Sequence, residues 1–255
     1  MKPEIIDYIE REIQSYYVER LESLNKLNID NLIKKKNPYL FRIKNLNTSE
    51  IIVTELVNAH LSSSEETMFG NWMEKFAIYT CKIYRPNSGA QKASSFGADL
   101  DFKINDVRYI ISIKSGPNWG NSEQIKKLED RFKSIRMTLR TSGNSEKIEF
   151  INGCIYGDKN KVYSDYSKVC GEKFWELLTS DSEFYKKIII PLGEISKIKD
   201  EEYKNKLSAR INILTSEFTS NYCYPDGVIN WDMIIERNSS ALPGKKSMWA
   251  KKGTD

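Results

Sequence analysis

Gly97-Ala-Asp-Leu-Asp-Phe-Lys-Ile-Asn-Asp-Val-Arg-Tyr-Ile-Ile-Ser-Ile-Lys-Ser-Gly-Pro-Asn-Trp-Gly120 is the stretch on which the fold turns. Leu100, Phe102 and Ile104 alternate with Asp99, Asp101 and Lys103. Val107, Tyr109, Ile111 and Ile113 then alternate with Arg108, Ile110, Ser112 and Lys114. A period of two belongs to strands whose two faces meet different surroundings. Asn105-Asp106 lies between the runs, and both residues tolerate the positive φ that a two-residue hairpin turn needs. Such a turn pairs 104 with 107, sets Asp99 opposite Ser112 and Asp101 opposite Ile110, and makes Lys114 a diagonal neighbour of Asp99. An acid, a hydroxyl and an ammonium gather on one sheet face, beside the break at Gly116-Pro117.

Helical periodicity surrounds this hairpin. Ile6, Ile9, Ile13, Tyr17, Leu21, Leu24 and Leu27 predict a first helix over 3–27, with Pro3 in its first turn. Asn47-Thr-Ser-Glu50 caps a helix from Thr48 to His60, and Ser62-Ser-Ser-Glu-Glu66 caps another over 64–82, with Phe69, Trp72, Met73, Phe76 and Thr80 inward. Residues 85–97 read as a loop with a short strand. Asn121 and Gln124 cap a helix over 122–140 whose inner stripe is Ile125, Leu128, Phe132, Ile135 and Leu139. Residues 147–156 read as a buried strand, and 171–190 and 200–221 as helices parted by Pro191 and Gly193. The order helix, strands, helix, strand gives an α/β (α+β) class: a central mixed sheet flanked by helices, with extra N- and C-terminal helices. The expected divisions are 1–60, helical; 61–160, the core; 161–237, helical and packed on the core; and 238–255, a flexible basic tail.

Composition narrows the chemistry. The 255 residues suffice for a sizeable core, and a net charge of +4 permits nucleic-acid binding without demonstrating it. No apolar run approaches membrane-spanning length and the start is no signal peptide, so a cytoplasmic protein without membrane partners is expected. Cys81, Cys154, Cys170 and Cys223 are scattered, which fits reduced thiols and not a zinc site. With His60 the single histidine, any Ser-His-acid or Cys-His mechanism would have to run through it. At the end of its expected helix it reads as a packing residue favoured by the helix dipole.

The hairpin resembles the PD-(D/E)xK nuclease core, in which an acid on one strand precedes (D/E)-x-K on the next. Asp99 takes the first place and Ser112-Ile113-Lys114 the second, with serine where an acid is usual. Three segments also resemble Type II restriction endonucleases of the PmeII family: Asn37-Pro-Tyr-Leu-Phe-Arg-Ile-Lys-Asn45, Ala59-His-Leu-Ser-Ser-Ser-Glu-Glu-Thr-Met-Phe-Gly70 and Ile111-Ser-Ile-Lys-Ser-Gly-Pro-Asn-Trp-Gly-Asn-Ser122. The resemblance implies a restriction-endonuclease-like core and hydrolysis of both strands of duplex DNA to 5′-phosphate and 3′-hydroxyl ends. It implies Mg²⁺, replaceable by Mn²⁺, held by Asp99, Glu74 and the Ile113 carbonyl, with Ser112 and Lys114 completing the centre. Serine is too weak a ligand to stand in for a carboxylate, so another acid must lean in. Glu74, on the helix before the sheet, is the first choice. Glu129 is the second, about 90° from the apolar centre of its helix at about 100° per residue, whereas Glu123 points away. Gln124 could reach the lysine, although capping explains it equally. Asp101 reads as a salt-bridging acid outside the centre.

Candidate DNA contacts fall in two groups. Arg85, Asn87, Gln91 and Lys92 carry base-reading donors in the loop before the hairpin. Ser115, Asn118, Trp119 and Asn121 follow the lysine, where backbone N–H groups can meet a phosphate; Trp119 could equally plug the core edge. A palindromic target would imply a homodimer, and the resemblance implies a cognate methyltransferase as a functional partner, not necessarily bound. A junction-selective or repair nuclease of the same core, and a binding module with a decayed site, are the alternatives. The helical remainder argues for sequence recognition, and retention of Asp99, Ser112, Lys114 and Glu74 argues against decay.

Overall fold

The computed structural model describes residues 1–93, 97–142 and 146–240. Helices α1 (Pro3–Asn25), α2 (Ile29–Lys35), α3 (Pro38–Ile43) and α4 (Ser49–Tyr84) precede the hairpin of β1 (Leu100–Ile104) and β2 (Val107–Lys114). There follow α5 (Ser122–Thr141), β3 (Lys147–Cys154), β4 (Lys161–Val162), β5 (Ser167–Cys170), α6 (Gly171–Thr179), α7 (Phe184–Lys187), α8 (Ile189–Tyr222) and α9 (Trp231–Ser239). The five strands form one mixed sheet in the order β1-β2-β3-β5-β4. β1 runs antiparallel to β2, β3 parallel to β2 and to β5, and β4 antiparallel to β5.

The hairpin has the expected register, Ile104 opposite Val107 and Asp101 opposite Ile110. Asn105 and Asp106 turn it with φ of 47° and 62°, the pair of positive values that matches the twist of adjoining strands. Leu100, Phe102, Ile111, Ile113 and Ile151 pack on one face with Ile5, Ile9 and Ile13 of α1, Trp72, Met73 and Phe76 of α4, and Phe174 and Trp175 of α6. Ile110 and Phe150 meet Leu128, Phe132, Ile135 and Leu139 of α5 on the other. The sheet is thus apolar on both sides, as a sheet with parallel strands requires.

Compactness divides the chain elsewhere than at 60/61 and 160/161. One unit holds 1–17 and 66–199, including the whole sheet; the other holds 18–65 and the chain from Asp200. The second has its own core of Leu24, Ile29, Leu32, Ile52, Val53, Leu56, Val57, Leu214 and Phe218. The boundaries fall inside α1, α4 and α8 and not in loops.

Several local expectations change. The two helices expected over 48–60 and 64–82 are one, α4, running unbroken from Ser49 to Tyr84. Ser64 is no cap: its hydroxyl donates back to the Leu61 carbonyl at 3.1 Å. His60 therefore sits mid-helix, with no helix end to favour its charge; burial, then Lys35 and Lys36, hold its pKa below the usual value. α8 runs through Pro191 and Gly193, because Pro191 stands in its first turn, where no N–H is required. Residues 228–230 lead into α9, capped by the Asn230 side chain on Met233 N. Asn238, expected to open the tail, lies inside α9 and donates to the Ile33 and Lys36 carbonyls at 2.7 and 3.0 Å. The lysines at 245, 246, 251 and 252 lie outside the described residues.

Gly153 of β3 leaves room for the α6 core. A Cβ there would lie 2.5 Å from a ring carbon of buried Phe174 and 3.0 Å from Ile111 Cγ2. Gly153→Ala should therefore destabilise the fold by about 1–3 kcal/mol through overpacking, read as a lowered urea midpoint by circular dichroism at unchanged slope.

Candidate active site

The chain reaches β1 through Gly97, at φ 69°, so the backbone pairing partner of β2 begins only near Asp99. Asp99 N donates to the Ile111 carbonyl at 2.9 Å, extending the ladder by one rung. Beyond it the Ile113 N–H would lack a strand partner. Asp99 Oδ2 takes that bond at 2.7 Å and also accepts from Ser112 Oγ at 3.2 Å. Ser112 is 0 % exposed, so its hydroxyl holds the aspartate and cannot itself meet solvent or a phosphate. Among the described residues Asp99 Oδ1 has no hydrogen bond, which leaves one oxygen of a fixed, half-buried carboxylate for a ligand.

Asp101, two residues along on the same face, is 5 % exposed and fully committed. Its two oxygens accept from Arg108 Nε at 2.9 Å and Nη2 at 2.6 Å. That bidentate bond, offset by burial, raises the Arg108 pKa. The pair braces the turn-side half of the hairpin and is no ligand.

An open cleft of about 360 Å³ lies against the end of β2. Glu66, Thr67, Gly70, Asn71 and Glu74 of α4 form one wall, and Ile113, Lys114 and Ser115 the other. The i, i+4 spacing stacks Glu66, Gly70 and Glu74 along one helix stripe. Gly70 keeps that stripe low: a Cβ there would just touch Ser115 Cβ at 3.8 Å. Glu74 Oε1 lies 3.6 Å from Lys92 Nζ. Glu66, Thr67 and Asn71 were missed because 62–66 reads as a pair of helix caps. The signal that would have found Glu66 is its place four residues before Gly70, mirrored by Glu74 four residues after.

The remaining candidates separate. Asn121 and Gln124 are bound into a reciprocal capping box, Gln124 Oε1 accepting from Asn121 N at 3.0 Å, so Gln124 does not reach Lys114. Glu129 does not line the cleft; its charge acts on Tyr166, whose hydroxyl is pushed up to about 12 by burial, then Tyr163, then Glu129. Lys114 Nζ stands 5.2 Å from the centre of the Trp119 ring, and Trp119 packs on the α5 core. Arg85 Nε donates to the Leu177 carbonyl at 3.0 Å, which turns it toward α6. Gln91 exchanges backbone bonds with Asp101 at 2.9 and 3.0 Å, so this part of the loop is a third strand-like rung along β1. Asn87, Gln91, Lys92, Ser115 and Asn118 have exposed side chains. The part of the loop at 94–96 lies outside the described residues.

The part of Asp99 in finishing the sheet can be measured by substitution. Asp99→Ala should cost about 1–3 kcal/mol of stability, because it leaves the buried Ile113 N–H without an acceptor. Asp99→Asn, whose amide oxygen can keep that bond, should cost less than half as much; urea unfolding of the two variants side by side measures the difference.

No curated protein matches the chain. A family model does, over residues 3–200, which contain the whole sheet, the cleft and Asp99, Ser112 and Lys114. With a mixed five-stranded sheet flanked by helices carrying that cluster, the chain belongs to the Type II restriction endonuclease EcoO109I family.

Proposed function

We propose that the chain cuts both strands of duplex DNA in a Mg²⁺-dependent reaction at a PD-(D/E)xK-type centre made of Asp99, Ser112, Lys114 and Glu74. The observation that carries this reading is Asp99, fixed by Ile113 N–H and Ser112 Oγ through one oxygen and open at the other. The likeness of residues 37–45, 59–70 and 111–122 to PmeII enzymes supports the same chemistry.

The donors suit Mg²⁺. Among the described residues no group of three or more His, Cys, Asp or Glu side chains is close enough to cage a metal. Mg²⁺ rarely needs such a cage; it keeps several waters and is held by one or two carboxylates together with substrate phosphates. Asp99 Oδ1, the Glu74 carboxylate and the Ile113 carbonyl would hold it. Bound there, the ion would supply an activated water and offset charge on the phosphate. The chain's own work is positional: Ser112 and Ile113 N–H fix the aspartate, and Lys114 places a positive charge where the pentavalent phosphorus gathers negative charge. Water adds to phosphorus, the P–O3′ bond breaks and the 3′ oxygen takes a proton, giving 5′-phosphate and 3′-hydroxyl ends.

Recognition falls to other residues, because groups addressed to a phosphate cannot read base edges. Asn87, Gln91 and Lys92 extend exposed donors beside the centre, and Ser115 and Asn118 lie on the turn after Lys114, suited to the backbone. Arg85 does not join them. A palindromic site would be read by a homodimer in the cytoplasm, with a methyltransferase protecting host DNA.

Incubation with plasmid and Mg²⁺ should give discrete fragments, abolished by EDTA. Asp99→Asn and Lys114→Ala should each raise the barrier by about 3 kcal/mol or more, with folding retained, and Glu74→Gln should raise the Mg²⁺ requirement. Smeared products, junction-only cleavage or undiminished cutting by Lys114→Ala would each refute this assignment. Gln91→Ala and Lys92→Ala should reduce discrimination between the cognate site and single-base variants by about 1–3 kcal/mol; an equal loss on all DNA would make them phosphate contacts.

A further inference from the structure

The α5 face of the sheet carries a polar row that runs past the hairpin. Ser112 of β2 stands opposite Asn152 of β3, and Asn152 opposite Lys168 of β5. With Asp99 across from Ser112, four polar residues cross four neighbouring strands. Asn152 is 4 % exposed and its Oδ1 is buried without a hydrogen-bond partner among the described residues. A buried carbonyl oxygen left unpaired costs about 1–3 kcal/mol, so a core position would tolerate an apolar residue far better. Such an orphan calls for a reason outside stability.

The donors near it can be counted. The Ser112 hydroxyl is given to Asp99. Lys168 Nζ is drawn to the Pro117 carbonyl at 2.5 Å, tying down the turn that follows Lys114. Lys114, two residues beyond Ser112 on the same face, is diagonal to Asn152, a separation a lysine side chain spans. Its ammonium has no hydrogen bond among the described residues and rests only over the Trp119 ring. Both ammonium charges also act on Cys154, the next same-face residue after Asn152, so both overlie this patch.

An unpaired acceptor and an unpaired donor thus share one patch of the sheet. We propose that Asn152 is a positioning residue of the nuclease centre, its Oδ1 accepting from the Lys114 ammonium and drawing it off Trp119, back along β2 to the level of Ser112 and Asp99. Asn152 touches neither phosphate nor water; it acts through the lysine. This rests on the reading of Lys114 as a group of the centre.

Two substitutions that keep the branching at Cγ decide it. Asn152→Asp keeps an acceptor at nearly the same volume, and Asn152→Leu removes it with a larger apolar side chain. The full chain is assayed for kcat and KM on a duplex carrying the cognate site, for duplex affinity in EDTA, and for thermal midpoint, with Lys114→Ala in parallel. The expected result is a kcat lowered at least about tenfold in Asn152→Leu, equivalent to about 1.4 kcal/mol. Its thermal midpoint should be equal to or above the parent's and its EDTA affinity within about threefold. Asn152→Asp should cut clearly faster than Asn152→Leu. If Asn152→Leu cuts at the parent rate while Lys114→Ala is inactive, the inference falls and the centre stands. If Lys114→Ala also cuts normally, both fall. If the two Asn152 variants lose kcat equally, or lose it only in step with stability, Asn152 is structural and the inference is wrong.

Discussion

One backbone amide organises this protein's working end. β2 outlasts β1, and the N–H of Ile113 is left where the hairpin partner has already turned away through Gly97. A buried N–H must find an acceptor, and Asp99 Oδ2 supplies it at 2.7 Å. The same bond that finishes the sheet aims a carboxylate outward from its edge. The Ser112 hydroxyl, shut away from solvent, holds the second side of that oxygen. Serine at this place is thus a holder of the acid and no replacement for one.

Around that bond the two acids of the hairpin part company. Asp101 shares the face of Asp99, yet Arg108 holds it in bidentate contact, and both of its oxygens are engaged. Asp99 lies two pairings nearer the strand end, where a backbone amide takes one oxygen and leaves the other. Position along the ladder, and not residue type, leaves one with an open oxygen and makes the other a brace. Across the strand end, α4 contributes Glu66 and Glu74 on either side of a glycine, low enough for the Ser115 turn to approach. Fixing this geometry are apolar layers on both faces of the sheet, with Phe76, Phe174 and Trp175 fully buried on one and Phe132 and Phe150 on the other.

The residues between Lys114 and α5 illustrate how a turn is held near a centre. Lys168 donates to the Pro117 carbonyl, Trp119 packs on the α5 core, and Asn121 and Gln124 close the helix start. Gly116 lets this turn lie against Tyr156, since a Cβ would come within 2.4 Å of its ring. Each restraint comes from a different element, so the turn's path is set by the assembled sheet and not by its own sequence.

The hairpin and its register were legible in the sequence, because strand alternation and a two-residue turn are local rules and a slip of one residue would bury Asp99, Asp101 and Lys103 in the wrong layer. The capping box of α5 was legible for the same reason: its two bonds span three residues. So was the placing of Asp99 against Ser112, which follows from register alone. What only the tertiary structure decided depends on partners far away in the chain. α4 runs through Ser62–Glu66 because Leu61 and, further on, Trp72 and Met73 are buried in packed cores, and that burial overrides capping signals worth about 1 kcal/mol. The short strands β4 and β5 carry too few residues to show a period; β5 exists because β3 offers it an edge, and β4 because β5 does. The use of each lone pair on Asp99 and Asp101, the burial of Ser112 and the unpaired oxygen of Asn152 are matters of neighbours brought together across strands, which no local pattern encodes.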